Sequence, residues 1–284
     1  MSPFTGRIEG DIVRLTGDVV RRFCNGMFTN NARDLSAGEG QRTAMLDDRG
    51  RLQGVLDLYC ASDVEFIAAL EGVTADEFER RYRMYMMLDE VECESLDWHI
   101  LTVQGAPRPD ALVIYGRDRC GMGGFDILGS SEELERIEAA LSFPVLDPLD
   151  IDALRVRAGK PRWPIDMGPK QLPHEMGMRD DFLHFEKGCY LGQETINRVD
   201  VMGQVRRALA GIRIVGDTLP PQGAEVRDSA GKKLGVFTSP LATDDLGNIG
   251  LAVLKKPSET PGTQLVVADG ARHWGATTSA LPFS

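Results

Sequence analysis

Eight adjacent residues decide our interpretation of this chain: Lys187-Gly188-Cys189-Tyr190-Leu191-Gly192-Gln193-Glu194. They bring an ammonium, a thiol, a phenol, an amide and a carboxylate together, and two glycines allow the backbone to turn tightly. From Gly192 onward the pattern predicts a helix, so Cys189 is expected just before a helix N-terminus. Because a helix N-terminus favours an anion and Lys187 is close in sequence, the Cys189 thiol is expected to ionise readily.

The spacing alone leaves a structural interpretation open. An isolated cysteine is often a small buried side chain, and Lys187 is also consistent with a solvated loop charge. The pattern K-G-C-Y-x-G-Q-E, however, resembles the signature of the YgfZ family, folate-binding proteins similar to the glycine cleavage T-protein (GcvT, aminomethyltransferase). Further similarity at Leu15–Asp18, Phe23–Asn30 and Leu281–Phe283 extends the resemblance over nearly the whole chain.

The resemblance implies an α+β fold: a three-domain GcvT/YgfZ-like ring with antiparallel sheets and a C-terminal all-β barrel or sandwich. Residues 1–45 and about 145–205 are expected to form a first, discontinuous folate domain. Residues from about 46 to 144 are expected to form a second, ferredoxin-like α+β domain. The third domain, the barrel, is expected over residues from about 206 to 284.

The resemblance also implies a function, that of a folate-binding accessory protein that supports assembly or repair of iron–sulfur enzymes, including tRNA-modifying ones. Tetrahydrofolate or another reduced folate is the expected cofactor. The residues expected to carry the chemistry are Cys189, Lys187 and Glu194. Those expected to bind the folate are Arg155, Arg157, Tyr190, Gln193, Arg198 and Arg206. The alternative is a folate-dependent aminomethyltransferase or demethylase.

A cluster of cations precedes the signature. Within eight residues the chain carries Arg155, Arg157, Lys160 and Arg162, with no carboxylate among them. Since folates end in glutamates, these side chains are expected to form an anion-binding patch. A solvated helix face is the alternative interpretation.

The chain departs from the aminomethyltransferase pattern in two places. Gly54 and Val55 stand where the family carries an acidic pair, which leaves Asp57 and Asp47 as the nearest candidate acids. Gly10 and Ile151 stand where family members are thought to place tryptophans against the folate. These departures weigh against glycine cleavage chemistry.

Composition bears on nucleic-acid binding, metal sites and cellular location. The 284 residues carry a formal net charge of −11, which opposes direct binding of a nucleic-acid backbone. The five cysteines are scattered without C-x-x-C spacing, so we expect reduced thiols and no metal site. With no signal-peptide pattern and no apolar run long enough for a membrane span, we expect a cytoplasmic protein.

Local patterns predict several elements. Residues 40–46 and 52–61 are expected to form a hairpin, and residues 111–115 a further strand. Asp18 is expected to cap a first helix, and capping boxes are expected at Thr74 and Ser130. The helix after Thr74 is expected to turn four side chains toward the core: Phe78, Tyr82, Tyr85 and Met86. From residue 208 onward, regular turn signals predict short strands.

Overall fold

The computed structural model describes residues 2–108, 114–203 and 205–284. Its strands form two antiparallel sheets and a closed six-stranded barrel, with helices packed beside them. The predicted α+β class with a C-terminal β-barrel is thereby confirmed. Of the strand predicted over residues 111–115, positions 111–113 lie outside the described residues.

The bounds of the elements follow chain order. The strands are β1 (Phe4–Ile8), β2 (Ile12–Thr16), β3 (Gly40–Leu46), β4 (Leu52–Ser62), β5 (Glu65–Glu71), β6 (Glu92–Leu96), β7 (His99–Gln104), β8 (Ile114–Gly116), β9 (Gly124–Gly129), β10 (Arg207–Ile214), β11 (Glu225–Arg227), β12 (Lys233–Thr243), β13 (Gly247–Lys255), β14 (Gln264–Asp269) and β15 (Arg272–Ser279). The helices are α1 (Val20–Met27), α2 (Ala75–Asp89), α3 (Ser131–Leu141), α4 (Pro148–Arg157), α5 (Arg179–Phe182) and α6 (Gln193–Met202), with a 3-10 turn at Pro173–Met176.

The first sheet has the strand order β3-β4-β5-β2-β6. Its predicted β3–β4 hairpin is confirmed, and α1 and α2 pack on it around the buried rings of Phe23, Phe28 and Tyr82. The capping box at Thr74 is also confirmed. Two expectations are wrong: α1 begins at Val20 without a side-chain cap from Asp18, and Tyr85 is 40% exposed because it lies on the outer face of α2.

The second sheet has the order β1-β7-β9-β8 and is covered by α3, whose predicted capping box at Ser130 is confirmed. The two sheets pack face to face through buried side chains that include Ile12, Ile67 and Ile100. The proposed division into three domains stays a prediction. A boundary at residue 45 would fall within the β3–β4 hairpin.

The barrel closes in the order β10-β13-β12-β11-β14-β15 around a core that includes Val226, Phe237 and Val267. Helix α4 contacts β12 and β13 from outside, and Asp147 caps its N-terminus by accepting from the main-chain N–H groups of Leu149 and Asp150. The barrel and the two sheets are thus joined through α4 and the segment that follows it. No helix among the described residues has the length and apolar character needed to cross a membrane.

Candidate functional site

The signature forms a loop that ends in helix α6, as the sequence predicted. Gly192 adopts φ 81°, and a Cβ added there would lie 2.5 Å from the carbonyl oxygen of Asp47 in the β3–β4 turn. Only glycine fits this close approach without a backbone shift. Gly192 therefore fixes the start of α6 against the hairpin, with Cys189 three residues earlier.

Lys187 is buried, with only 9% of its surface exposed. Its Nζ donates to the carbonyl oxygens of Phe28 at 2.6 Å and Asn30 at 2.7 Å, and lies 4.7 Å from the ring centroid of Tyr190. Burial lowers the pKa of Lys187 to about 7, because removal from water disfavours the ammonium form. These polar contacts of Lys187 anchor the loop to the segment after α1, and its stabilisation of the Cys189 thiolate stays a prediction.

Three further contacts hold the loop on the C-terminal side of Cys189. The N–H of Tyr190 donates to Oε1 of Gln193 at 3.3 Å, and the N–H of Leu191 donates to the carbonyl of Gly26 at 3.1 Å. The Tyr190 ring is buried in a core cluster that also contains Trp163. Tyr190 and Gln193, expected to bind folate, thus make contacts that position the loop.

Cys189 is the exposed cysteine of this chain. Cys24, Cys60 and Cys120 are buried, and Cys93 is partly buried. Since Lys187 and Tyr190 on either side of it are buried, the backbone of the loop is anchored while the thiol faces solvent. This arrangement is suited to a thiol that reacts with, or binds to, something outside the chain.

A cavity of about 600 Å3, here called the central cavity, lies between the ends of β1 and β5, helix α4 and the loop at residues 160–165. Gly10 and Ile151, which the sequence placed at the tryptophan positions of the family, both line it. A Cβ added at Gly10 would lie 2.6 Å from the carbonyl oxygen of Leu70, so a tryptophan does not fit there without a shift. Trp163 supplies an aromatic side chain to the same cavity.

The charged side chains beside this cavity form a network that the sequence analysis missed. Asp57 pairs with Arg42 and Arg117, each at 3.2 Å, and Glu71 pairs with the same two guanidinium groups at 2.9 and 3.2 Å. Glu71 also accepts from the main-chain N–H of Trp163 at 3.0 Å. A sequence signal was available, because Arg42 and Asp57 are opposite charges that lie directly opposite each other in the β3–β4 hairpin.

The two candidate acids have structural partners. Burial alone would raise the pKa of Asp57, but the guanidinium groups of Arg117 and Arg42 outweigh it and hold that pKa below its ordinary value. Asp47 accepts from the main-chain N–H groups of Arg49 and Arg51, which fixes the hairpin turn. Because its pKa is lowered, the Asp57 carboxylate is a poor proton acceptor.

The four cations of the expected anion patch all form ion pairs in the structure. Arg155 is buried and pairs with Asp152 at 2.8 Å and Asp166 at 2.7 Å, and also donates to Ser239 of the barrel. The three other cations are also paired: Arg157 with Asp245, Lys160 with Asp118, and Arg162 with Asp152. Asp152 is close in sequence to the cations that it pairs with, whereas Asp118 and Asp245 are distant in sequence from theirs. Anion binding by these four cations stays a prediction.

Glu194, Arg198 and Arg206 lie in a different place. They line a groove of about 1240 Å3 between the β3–β4 turn, α6 and the start of the barrel, here called the basic groove. A third cavity of about 650 Å3 shares Arg42 and Lys160 with the central cavity, and Glu175 and Lys256 with the basic groove. The predicted site residues are thus divided between the anchored loop, the paired cluster and the groove.

The described residues contain no group of three or more His, Cys, Asp or Glu side chains placed to hold a metal ion. Within these residues, the features suited to chemistry or binding are the exposed Cys189 thiol, the central cavity and the basic groove.

The chain matches no protein-family model. It is 21% identical over 254 residues to an uncharacterised protein of Haemophilus influenzae, covering 86% of each chain. It is 22% identical over 306 residues to the aminomethyltransferase of Chloroherpeton thalassium, covering 94% of this chain and 83% of that one. It is 35% identical over 107 residues to the human mitochondrial iron–sulfur cluster assembly factor IBA57, covering 34% of this chain and 28% of that one.

A solved structure matches almost the whole chain. The glycine cleavage system aminomethyltransferase T of Bartonella henselae superposes with a TM-score of 0.86, covering 99% of this chain and 86% of that one, at 17% sequence identity. The similarity extends through both sheets and the barrel. The chain therefore has the aminomethyltransferase (GcvT)-like fold.

Proposed function

We propose that this chain is a YgfZ-like, folate-binding accessory protein of the cytoplasm that supports the assembly or repair of iron–sulfur enzymes, including tRNA-modifying ones. The observation that carries the proposal is the exposure of Cys189 on a loop anchored on both sides. The similarity of part of the chain to an iron–sulfur cluster assembly factor supports the same conclusion.

The role of the thiol follows from its surroundings. As a thiolate, Cys189 can hold a transient sulfur, iron or one-carbon adduct, because its loop is anchored by Lys187 while Sγ faces solvent. One thiolate does not retain a cluster that needs four cysteine ligands. Any cluster that Cys189 contacts is therefore shared with a partner protein.

The central cavity supports folate binding. Its volume lies within the range of small-molecule sites, and it combines the apolar surfaces of Trp163, Ile151 and Val73 with polar groups. The exposed carboxylate of Glu9 is suited to accept hydrogen bonds from the aminopyrimidinone edge of a pterin. Bound tetrahydrofolate supplies nitrogen atoms that carry a one-carbon unit, and the residues named here hold and orient its ring.

The experiment replaces Cys189 by Ala in the cellular gene and measures the activity of iron–sulfur enzymes in extracts. We expect activity to fall to the level of a deletion strain, with the variant as abundant as wild type. Cys93→Ala is the matched control, because it also removes one thiol but leaves the loop intact. Full activity with Cys189→Ala at matched abundance removes the thiol from the mechanism.

A second candidate is a folate-dependent aminomethyltransferase or demethylase. It is favoured by the similarity of almost the whole chain to proteins named aminomethyltransferase. Against it stand the paired state of Asp57 and the structural role of Asp47, since general acid or base catalysis needs an available group. Turnover of an aminomethyl-lipoyl carrier protein with tetrahydrofolate would establish this function, and its absence would retire it.

A further inference from the structure

We propose that the basic groove binds an acidic segment of a partner protein through arginine and lysine side chains, of which all but Lys256 lack an ion-pair partner among the described residues. This binding is independent of the folate and thiol roles proposed above. The proposed ligand is a short peptide segment with several closely spaced Asp or Glu side chains.

The groove is strongly positive in an acidic protein. Eight Lys or Arg side chains line it, with only three carboxylates, whereas the whole chain carries 43 acidic and 32 basic residues. Of these eight cations, only Lys256 forms an ion pair with a described residue, at 3.6 Å from Glu259. The side chains of Arg49, Arg51, Arg198 and Arg206 are exposed. Unpaired guanidinium groups concentrated in one concave surface are suited to bidentate binding of carboxylates.

Two walls of the groove, the β3–β4 turn and α6, are in direct contact with each other. Asp47 holds the turn that carries Arg49 and Arg51 through their main-chain N–H groups, at 2.9 and 2.8 Å. A Cβ added at Gly50 in this turn would lie 3.0 Å from Thr195 of α6, so the turn packs directly on the helix. Binding therefore needs ordering of the long side chains but no rearrangement of the backbone.

The lining favours a peptide over a nucleic acid. No aromatic side chain is among the described residues that line the groove, so these residues offer no surface on which bases stack. The net charge of −11 repels an extended phosphate backbone, whereas a short acidic segment contacts only the positive groove. The carboxylate of Glu194 within the groove limits how many anions fit along α6.

The groove and Cys189 lie on the same element. Glu194, Arg198 and Met202 present one face of α6 to the groove, and the N-terminal end of this helix follows directly from the Cys189 loop. A partner held in the groove is thus directed along the helix toward the exposed thiol. The direction of the partner toward the thiol rests on the proposed role of Cys189, whereas the binding in the groove does not.

The test measures fluorescence anisotropy of a labelled, α-linked octaglutamate titrated with the full-length protein. The test variant combines Arg198→Glu with Arg206→Glu. The matched control combines Arg80→Glu with Arg81→Glu, which makes the same charge change at exposed positions of α2 outside the groove. We expect the groove variant to bind about tenfold more weakly or worse, and the control to bind like wild type at fixed salt.

Three other probes complete the test: an octaglutamine, a single-stranded RNA of equal charge and an oligo-γ-glutamate of equal length. We expect each to bind more weakly than octaglutamate, and binding of octaglutamate to weaken as salt is raised. The proposal is overturned if octaglutamate binds no better than octaglutamine, or if both variants weaken its binding equally. It is also overturned if RNA or the γ-linked oligomer binds more tightly through the same arginines.

Discussion

The Nζ of Lys187 lies 2.6 Å from the carbonyl oxygen of Phe28, a residue 159 positions earlier in the chain. A neutral amine has two N–H groups, and the structure provides two carbonyl acceptors, those of Phe28 and Asn30. This contact joins the Cys189 loop to the end of α1 and fixes where the thiol emerges. The protonation state of Lys187 should therefore affect the free energy of unfolding of the protein.

We predict that Lys187 makes stability depend on pH between about 7 and 10.5. The pKa of Lys187 falls from 10.5 to about 7 on folding because burial disfavours its charge, so the unfolded chain binds more protons in this range. The contribution of Lys187 to the free energy of unfolding is therefore greatest above pH 10.5 and decreases as the pH falls to about 7. Relative to Lys187→Met, wild type should gain up to about 1.4 kcal/mol per pH unit. Urea unfolding at pH 7.5 and 9 measures the difference, and parallel changes in both proteins would contradict it.

We predict that Cys189 is alkylated first among the five cysteines. Cys24 and Cys60 are fully buried, and burial raises the pKa of Cys93 and of Cys120 to about 11. Iodoacetamide should modify Cys189 at least about tenfold faster than any other thiol, because the reagent needs an accessible thiolate. Mass mapping after timed quenching gives the five rates. Earlier modification of Cys24 than of Cys189 would refute the exposed-loop geometry.

Replacement of Asp57 by Asn is predicted to lower the free energy of unfolding by about 3 kcal/mol. The change leaves Arg42 and Arg117 buried with a smaller compensating charge, and broken buried ion pairs are costly. Asp63→Asn, which loosens an exposed pair with Arg21, is the control and should change stability little. Chemical denaturation of the two variants compares them directly. Equal effects would mean that the network contributes no more than a surface pair.

A comparable cost, about 3 kcal/mol, is predicted for Arg155→Met, because Asp166 would remain fully buried without its cation. Asp166 also accepts from Ser239 of the barrel and from the main-chain N–H of Arg162, so its environment joins α4 to the barrel. Arg157→Met, at an exposed pair, is the control. Thermal unfolding should show a clearly lower Tm for the first variant only. If Arg155 served only to bind folate, the Arg155→Met variant would have the Tm of wild type.

The sequence predicted those parts of the fold that depend on local patterns. The β3–β4 hairpin, the capping boxes at Thr74 and Ser130 and the helix after Gly192 all follow from turn residues and caps within a few positions. The cap assigned to Asp18 failed, because the chain after Gly17 turns into α1 at Val20 without using that carboxylate. The prediction that Tyr85 is a core residue was wrong, because Tyr85 lies outside the buried face of α2.

The candidate site was predicted less well, because its decisive contacts join residues far apart in the chain. Cations at Arg157 and Lys160 look unpaired in sequence, yet their carboxylates are Asp245 and Asp118. Lys187 is close to Cys189 in sequence, but its acceptors follow α1. Local spacing indicates which residue types are near one another along the chain, whereas the direction of a long side chain depends on which distant acceptors folding brings to it.

Repair of a damaged iron–sulfur enzyme by purified protein tests the central claim most directly. An oxidatively inactivated four-iron enzyme is incubated with iron, sulfide, a reductant and tetrahydrofolate, and the recovery of its activity is followed over time. We predict that wild-type protein accelerates the recovery and that Cys189→Ala, folded and at equal concentration, does not. Recovery at the same rate with Cys189→Ala, or no faster with wild type than with buffer, would contradict the account.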